Sequence, residues 1–220
     1  MTVRQSFDLS LYLVAGVPDL PDGRILIDLV MAAVAGGATV VQLRDKTTDA
    51  RLLVEQARAL KAVLTPLGVP LIVNDRADIA LAANADGLHV GQSDLSPADA
   101  RKIVGSGRIL GLSAGTAEEA RGVTRRYADY VGIGPLYASV SKADAGPALG
   151  IAAFAALRRQ LSALPAVAIG GITADSAGAA IAAGADGVAV VSAICRAEDP
   201  EAAARSLKQA VEQARLQAAQ

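Results

Sequence analysis

Short apolar runs rich in Val, Ile and Leu alternate along the chain with Ala-rich stretches in which apolar positions recur every three or four residues. The short runs predict β-strands over residues 11–15, 39–43, 71–73, 87–90, 109–112, 130–133, 167–169 and 187–191. The stretches between them predict helices. Over 51–64, Leu52, Leu53, Ala57, Leu60 and Leu64 fall on one face. Local chemistry marks several helix starts. Ser96-Pro97-Ala98-Asp99 places a cap before a first-turn proline, Thr116-Ala117-Glu118-Glu119 has the spacing of a capping box, and Asp199-Pro200 opens a last helix.

A second, longer pattern lies over the first. Gly37-Ala38-Thr39-Val40, Asn84-Ala85-Asp86-Gly87, Tyr127-Ala128-Asp129-Tyr130 and Gly184-Ala185-Asp186-Gly187 each end a helix and enter the second, fourth, sixth or eighth strand. A motif that returns once per two strand–helix units suits a ring without edges. The rival is an open doubly wound sheet, but no Gly-x-Gly-x-x-Gly follows the first strand. The pattern therefore predicts an α/β fold, a single (β/α)8 TIM barrel over residues 1–220, with 1–10 as an extension ahead of the first strand.

Composition narrows the partners. The chain is 52% apolar, with no Trp, two Phe and four Tyr, so its core is aliphatic and it has little material for stacking nucleic-acid bases. A net charge of −1 without a basic block gives neither a duplex nor an anionic membrane an obvious surface. One cysteine allows no internal disulfide, and no signal-peptide order or membrane-length apolar run is present, so a cytoplasmic protein is expected. Oligomeric state is not encoded in any of these features.

In such barrels chemistry gathers in the loops after the strands, with phosphate often held after the seventh and eighth. Ile169-Gly170-Gly171-Ile172-Thr173 lets bare backbone approach a ligand ahead of a helix, and Val191-Ser192-Ala193 offers a second helix start and a hydroxyl; two ordinary tight turns are the plain alternative. Gln42 and Arg44 alternate to one side of the second strand and Lys46 follows, a set suited to a diphosphate unless the cations merely pair with Asp45 at the surface. Asn74-Asp75 and Gly91-Gln92-Ser93-Asp94 end neighbouring strands, so Asp75 and Asp94 could share a hard cation such as Mg²⁺, although Asp75 could also cap a helix. Residues 135–150 form a long, small-residue loop carrying Ser139, Ser141 and Lys142, and read as a lid. His89 reads as a structural histidine and Cys195 as a packing residue.

Taken in order, Gln42-Leu43-Arg44-Asp45-Lys46, Val73-Asn74-Asp75, Gly87-Leu88-His89-Val90-Gly91-Gln92-Ser93-Asp94, Gly111-Leu112-Ser113, Gly132-Ile133-Gly134-Pro135-Leu136-Tyr137, Lys142, Ile169-Gly170-Gly171-Ile172 and Gly184-Ala185-Asp186-Gly187-Val188 resemble thiamine phosphate synthase. The resemblance implies a transferase that joins 4-amino-2-methyl-5-(diphosphooxymethyl)pyrimidine to a thiazole phosphate and releases diphosphate. It implies that Gln42, Leu43, Arg44, Asp45, Lys46, Asn74, Ser113 and Lys142 bind the pyrimidine diphosphate, with Arg44, Lys46, Lys142 and Ser113 acting in catalysis. Asp75 and Asp94 would hold magnesium, and Ser139, Val140, Ser141, Gly170, Gly171, Val191 and Ser192 would receive the thiazole phosphate. The chain departs from the family in carrying serines where the lid commonly has threonines, and Gly115 where many relatives have a larger residue such as histidine. A thiazole tautomerase, which shares the barrel but needs no metal site, and a non-catalytic phosphate-binding barrel are the alternatives.

Overall fold

A strand that is apolar on both faces must be covered on both, and parallel strands meet this by packing helices on one side and their own side chains on the other. In the computed structural model, which describes residues 7–138 and 146–218, eight parallel strands close in sequence order into a barrel. They are β1 (Leu11–Ala15), β2 (Val40–Leu43), β3 (Leu71–Asn74), β4 (Gly87–Val90), β5 (Ile109–Ala114), β6 (Tyr130–Ile133), β7 (Ala166–Ile169) and β8 (Gly187–Val190). Around them lie α1 (Leu26–Ala35), α2 (Ala50–Leu64), α3 (Ala77–Ala82), α4 (Pro97–Val104), α5 (Ala117–Gly122), α6 (Gly150–Gln160), α7 (Ala174–Ala182), the short α8 (Ser192–Cys195) and α9 (Pro200–Ala218). The expected barrel is thus present. β5 runs two residues beyond its expected end because Ser113 and Ala114 still pair with Gly132 and Ile133 of β6.

Alternation along the strands divides the core. Tyr12, Val14, Val40, Ile72, Ile109, Tyr130, Val167 and Ala189 fill the barrel interior, with Leu9 closing its floor. A larger aliphatic layer, including Cys195, lies between barrel and helices. Burial pushes the Cys195 thiol up to about 12, as suits packing rather than reactivity. On α2 the buried stripe is Leu53, Ala57, Leu60 and Leu64, while Leu52 is 46% exposed. Leu52 sits about 100° round the helix from Leu53, beyond the stripe that faces the barrel.

Caps form at two of the expected sites. Ser96 Oγ accepts from the Asp99 amide, and Asp199 accepts from the Ala202 amide. The third is half a capping box: Thr116 Oγ1 accepts from the Glu119 amide, but the Glu119 carboxylate takes the amide of Gly115 instead of Thr116.

The recurring helix-to-strand motif has one physical meaning in all four copies. Thr39, Asp86, Asp129 and Asp186 donate their amides to the carbonyls of Leu11, Leu71, Leu110 and Ala166 at 2.8–2.9 Å. Their side chains accept the amides of those same residues, at 3.2 Å for Thr39 and 2.8 Å for each aspartate. Each even strand is therefore clasped to the odd strand before it at the floor. The three carboxylates are also held by helix cations: Lys61 on α2 with Asp86, Arg101 on α4 with Asp129, and Arg158 on α6 with Asp186. The neutral Thr39 needs none; its hydroxyl donates to the Leu11 carbonyl.

Among the clasps, Arg101–Asp129 is the most buried, with side chains 11% and 8% exposed. Asp129→Ala should cost about 3 kcal/mol, because it strands a buried guanidinium and a strand amide together. Thr39→Val should cost about 1 kcal/mol. Urea unfolding midpoints check both, and equal losses would show that the cation adds nothing to the clasp.

Candidate active site

The strands deliver their C-terminal ends to one rim, and there a cavity of about 550 Å³ opens into the barrel, a size suited to small organic ligands. Gln42, Arg44 and Lys46 line it from β2 and its following turn, Asn74 and Asp75 from β3, and Asp94 from the loop after β4. Ser113 of β5 faces it, as do Gly170, Gly171, Val191 and Ser192 after β7 and β8. The two halves expected for diphosphate and for a second phosphate thus share one space.

The charges in this cavity are closely set. The carboxyls of Asp75 and Asp94 are close enough to act on each other. Lys46 Nζ stands 3.2 Å from Asp75 Oδ2, and Asp94 Oδ2 also accepts the Gly91 amide at 2.8 Å. Burial, and then the neighbouring Asp94, push the Asp75 carboxyl above its ordinary range, while Lys46 opposes them. Asp75 holds a left-handed backbone, φ 58°, costly for a side-chain-bearing residue, and its amide donates to the His89 carbonyl at 2.8 Å. It does not cap α3, where Arg76 occupies the cap position without a side-chain bond.

Two neighbouring acids in the loops after adjacent strands favour a hard cation between them. Among the described residues no three His, Cys, Asp or Glu side chains gather, so protein donors alone would leave the shell incomplete. Magnesium suits such a site, since it takes one or two carboxylates and completes its shell with water and substrate phosphate. Lys46 beside the pair and Arg44 in the same cavity supply the positive charge that a diphosphate also needs.

Two expected contact positions lie elsewhere. Leu43 points outward into the layer beneath the helices, because strand alternation turns it opposite Gln42 and Arg44. Asp45 is buried and organises the turn after β2. Its Oδ1 accepts the amides of Thr47 and Thr48 and the Thr47 hydroxyl, and its Oδ2 accepts the Thr48 hydroxyl at 2.7 Å. Burial alone would raise this carboxyl, but the four hydrogen bonds outweigh it and hold the group below its ordinary range.

At the other end of the cavity, Gly170 and Gly171 take φ of 100° and 64°, which L side chains rarely adopt. Carbonyls of Ile169 and Gly170 accept the amides of Leu136 and Tyr137, so the start of the long loop is zipped to the β7 turn. The Leu149 and Gly150 amides return to the Pro135 and Leu136 carbonyls and tie the loop's two ends together. Ser139, Val140, Ser141 and Lys142 lie outside the described residues. A Cβ at Gly115 would stand 2.8 Å from the Gly134 carbonyl oxygen, so a larger residue there requires the end of β6 to shift.

Tyr12, His89, Gln92 and Glu119 also line the cavity, and none was expected there. For His89 a signal existed. Alternation along residues 87–90 turns Leu88 and Val90 toward the helices and leaves His89 facing inward near the rim. Glu119 was hidden by its helix-capping spacing.

Asp45→Ala should lower stability by about 1–3 kcal/mol through loss of its turn hydrogen bonds. The folded-state pKa is depressed, so this contribution is present above the unfolded value of about 4 and lost as pH falls through the lower folded value. Melting curves of wild type and variant should therefore stay apart above about pH 4 and converge below it.

Comparison with known proteins bears on the chemistry. The family model described as thiamine monophosphate synthase matches residues 11–194. The chain is 57% identical over 209 residues to the thiamine-phosphate synthase of Xanthobacter autotrophicus, covering 95% of this chain and 98% of the relative. It is 52% identical to that of Azorhizobium caulinodans at the same coverage. The solved thiamine phosphate pyrophosphorylase from Pyrococcus furiosus superposes with a TM-score of 0.84 at 32% identity, covering 94% of this chain and 96% of that one.

Proposed function

The chain belongs to the thiamine monophosphate synthase family, and we propose that its rim cavity carries out that synthesis with magnesium held by Asp75 and Asp94. The reaction joins a pyrimidine diphosphate to a thiazole phosphate. The bond between the pyrimidine methylene carbon and the diphosphate oxygen breaks, and both its electrons leave with diphosphate. The thiazole nitrogen then attacks that carbon with its lone pair, giving thiamine phosphate. An amino-pyrimidine stabilises its own methylene cation, so no protein nucleophile is required.

The protein's work in this reading is electrostatic and positional. Arg44 forks onto the diphosphate oxygens and Lys46 neutralises charge as it builds on the leaving group, with Gln42, Asn74 and Ser113 orienting the pyrimidine half. Bound magnesium supplies Lewis-acid stabilisation to the departing diphosphate. Gly170, Gly171, Val191 and Ser192 offer backbone amides and a hydroxyl to the thiazole phosphate. Lys142 and the segment Ser139, Val140, Ser141 enter the reading through the family resemblance, as cation and hydroxyls over the same substrates. A cytoplasmic setting fits the single buried cysteine.

The observation that carries the proposal is that the cluster of Asp75, Asp94 and Lys46 shares one cavity with Arg44 and the Gly170–Gly171 turn. A tautomerase would have no use for the paired acids. Purified protein given both substrates and magnesium should form thiamine phosphate, and a chelator should abolish it. Asp75→Asn should cut turnover at least about tenfold with unchanged far-ultraviolet dichroism. Full activity in chelator, or in the variant, removes the metal assignment.

A further inference from the structure

Beneath the cavity, hydrogen bonds run side chain to side chain across the barrel interior. Gln42 Nε2 donates to Tyr12 Oη at 2.8 Å, and Tyr12 Oη lies 2.7 Å from Tyr130 Oη. Tyr130 Oη is 2.9 Å from His89 Nδ1, and His89 Nε2 is 3.0 Å from Ser113 Oγ. Tyr12, Gln42, His89 and Ser113 line the cavity, whereas Tyr130 is fully buried and does not. Space for its contact with His89 is built in. Gly111 pairs with both His89 and Tyr130 across the sheet, and a Cβ there would collide with the Tyr130 hydroxyl and His89 Nδ1.

The chain has a direction. A phenol carries one proton. The Gln42 amide nitrogen donates to Tyr12, and of the two ways to run the remaining bonds, the one that gives each phenol proton an acceptor within the chain sends the Tyr12 proton to Tyr130 and the Tyr130 proton to His89 Nδ1. Burial above all holds both phenols above their ordinary range, so they act as neutral relays of orientation. A neutral imidazole that accepts at Nδ1 bears its proton on Nε2 and donates it to Ser113 Oγ. The serine oxygen is then an acceptor on its inner side, and its own proton is left for the cavity.

We infer that Tyr130 is a positioning residue: by fixing the Nε2–H tautomer of His89 it makes the Ser113 hydroxyl a hydrogen-bond donor to the pyrimidine diphosphate. The tautomer part rests on the hydrogen bonds alone; the ligand part rests on the function proposed above. The chain contains one histidine, so a two-bond ¹H–¹⁵N correlation spectrum of these 220 residues holds a single imidazole. Without substrate at about pH 8, above the ordinary imidazole range, it should show a protonated Nε2 and a bare Nδ1.

Tyr130→Phe should populate the Nδ1–H form and lower kcat about tenfold, with the KM for thiazole phosphate little changed, as expected when one oriented hydrogen bond is lost. A wild-type spectrum protonated at Nδ1 would overturn the inference, and so would a variant spectrum identical to wild type. The wild-type spectrum decides the tautomer even if the variant does not fold. Absence of product from the unaltered protein would strike the reaction assignment alone, because the spectrum is read without substrate.

Discussion

A barrel of parallel strands presents one working rim only if every strand ends at the right height, and here that height is set from the opposite end. The four clasps at Thr39, Asp86, Asp129 and Asp186 each exchange two hydrogen bonds with the first or second residue of the preceding odd strand. A slip of one residue would turn each strand's inward side chains outward. Gln42, His89 and Ser113 could then no longer face one another. Register at the floor and geometry at the rim are one constraint seen from two ends.

Much of this was legible in the chain. Strands with two apolar faces, separated by helical stretches, leave few architectures, and the fourfold echo of Ala followed by Asp or Thr ahead of the even strands pointed to a ring. The echo's chemistry was not legible, because the partners of Asp86 and Asp129 are backbone amides that any residue could supply. Leu43 and Asp45 show a second limit. A motif read as a block hides its own alternation, and the structure gives its odd positions to the core and to a turn. His89 shows a third: the inward direction of a histidine is local information, but its partners come from strands 24 and 41 residues away.

The cavity also shows how a nearly neutral chain assembles a strong local field. Asp75 is held in a backbone conformation that few residues tolerate, and its carboxyl lies close enough to Asp94 to be pushed above its ordinary range. Such crowding of like charge is unfavourable, and Lys46 relieves only part of it. A site strained in this way gains most from a ligand that brings positive charge.

The scarcity of aromatic residues has a practical side. With no tryptophan, the near-ultraviolet signal of the chain comes chiefly from four tyrosines, and two of them, Tyr12 and Tyr130, touch inside the barrel with ring centroids 5.8 Å apart. Their dichroism arises from that fixed pairing and disappears once the rings tumble independently. An optical readout of whether the cylinder is closed, separate from whether its helices survive, is therefore already present in the unlabelled polypeptide.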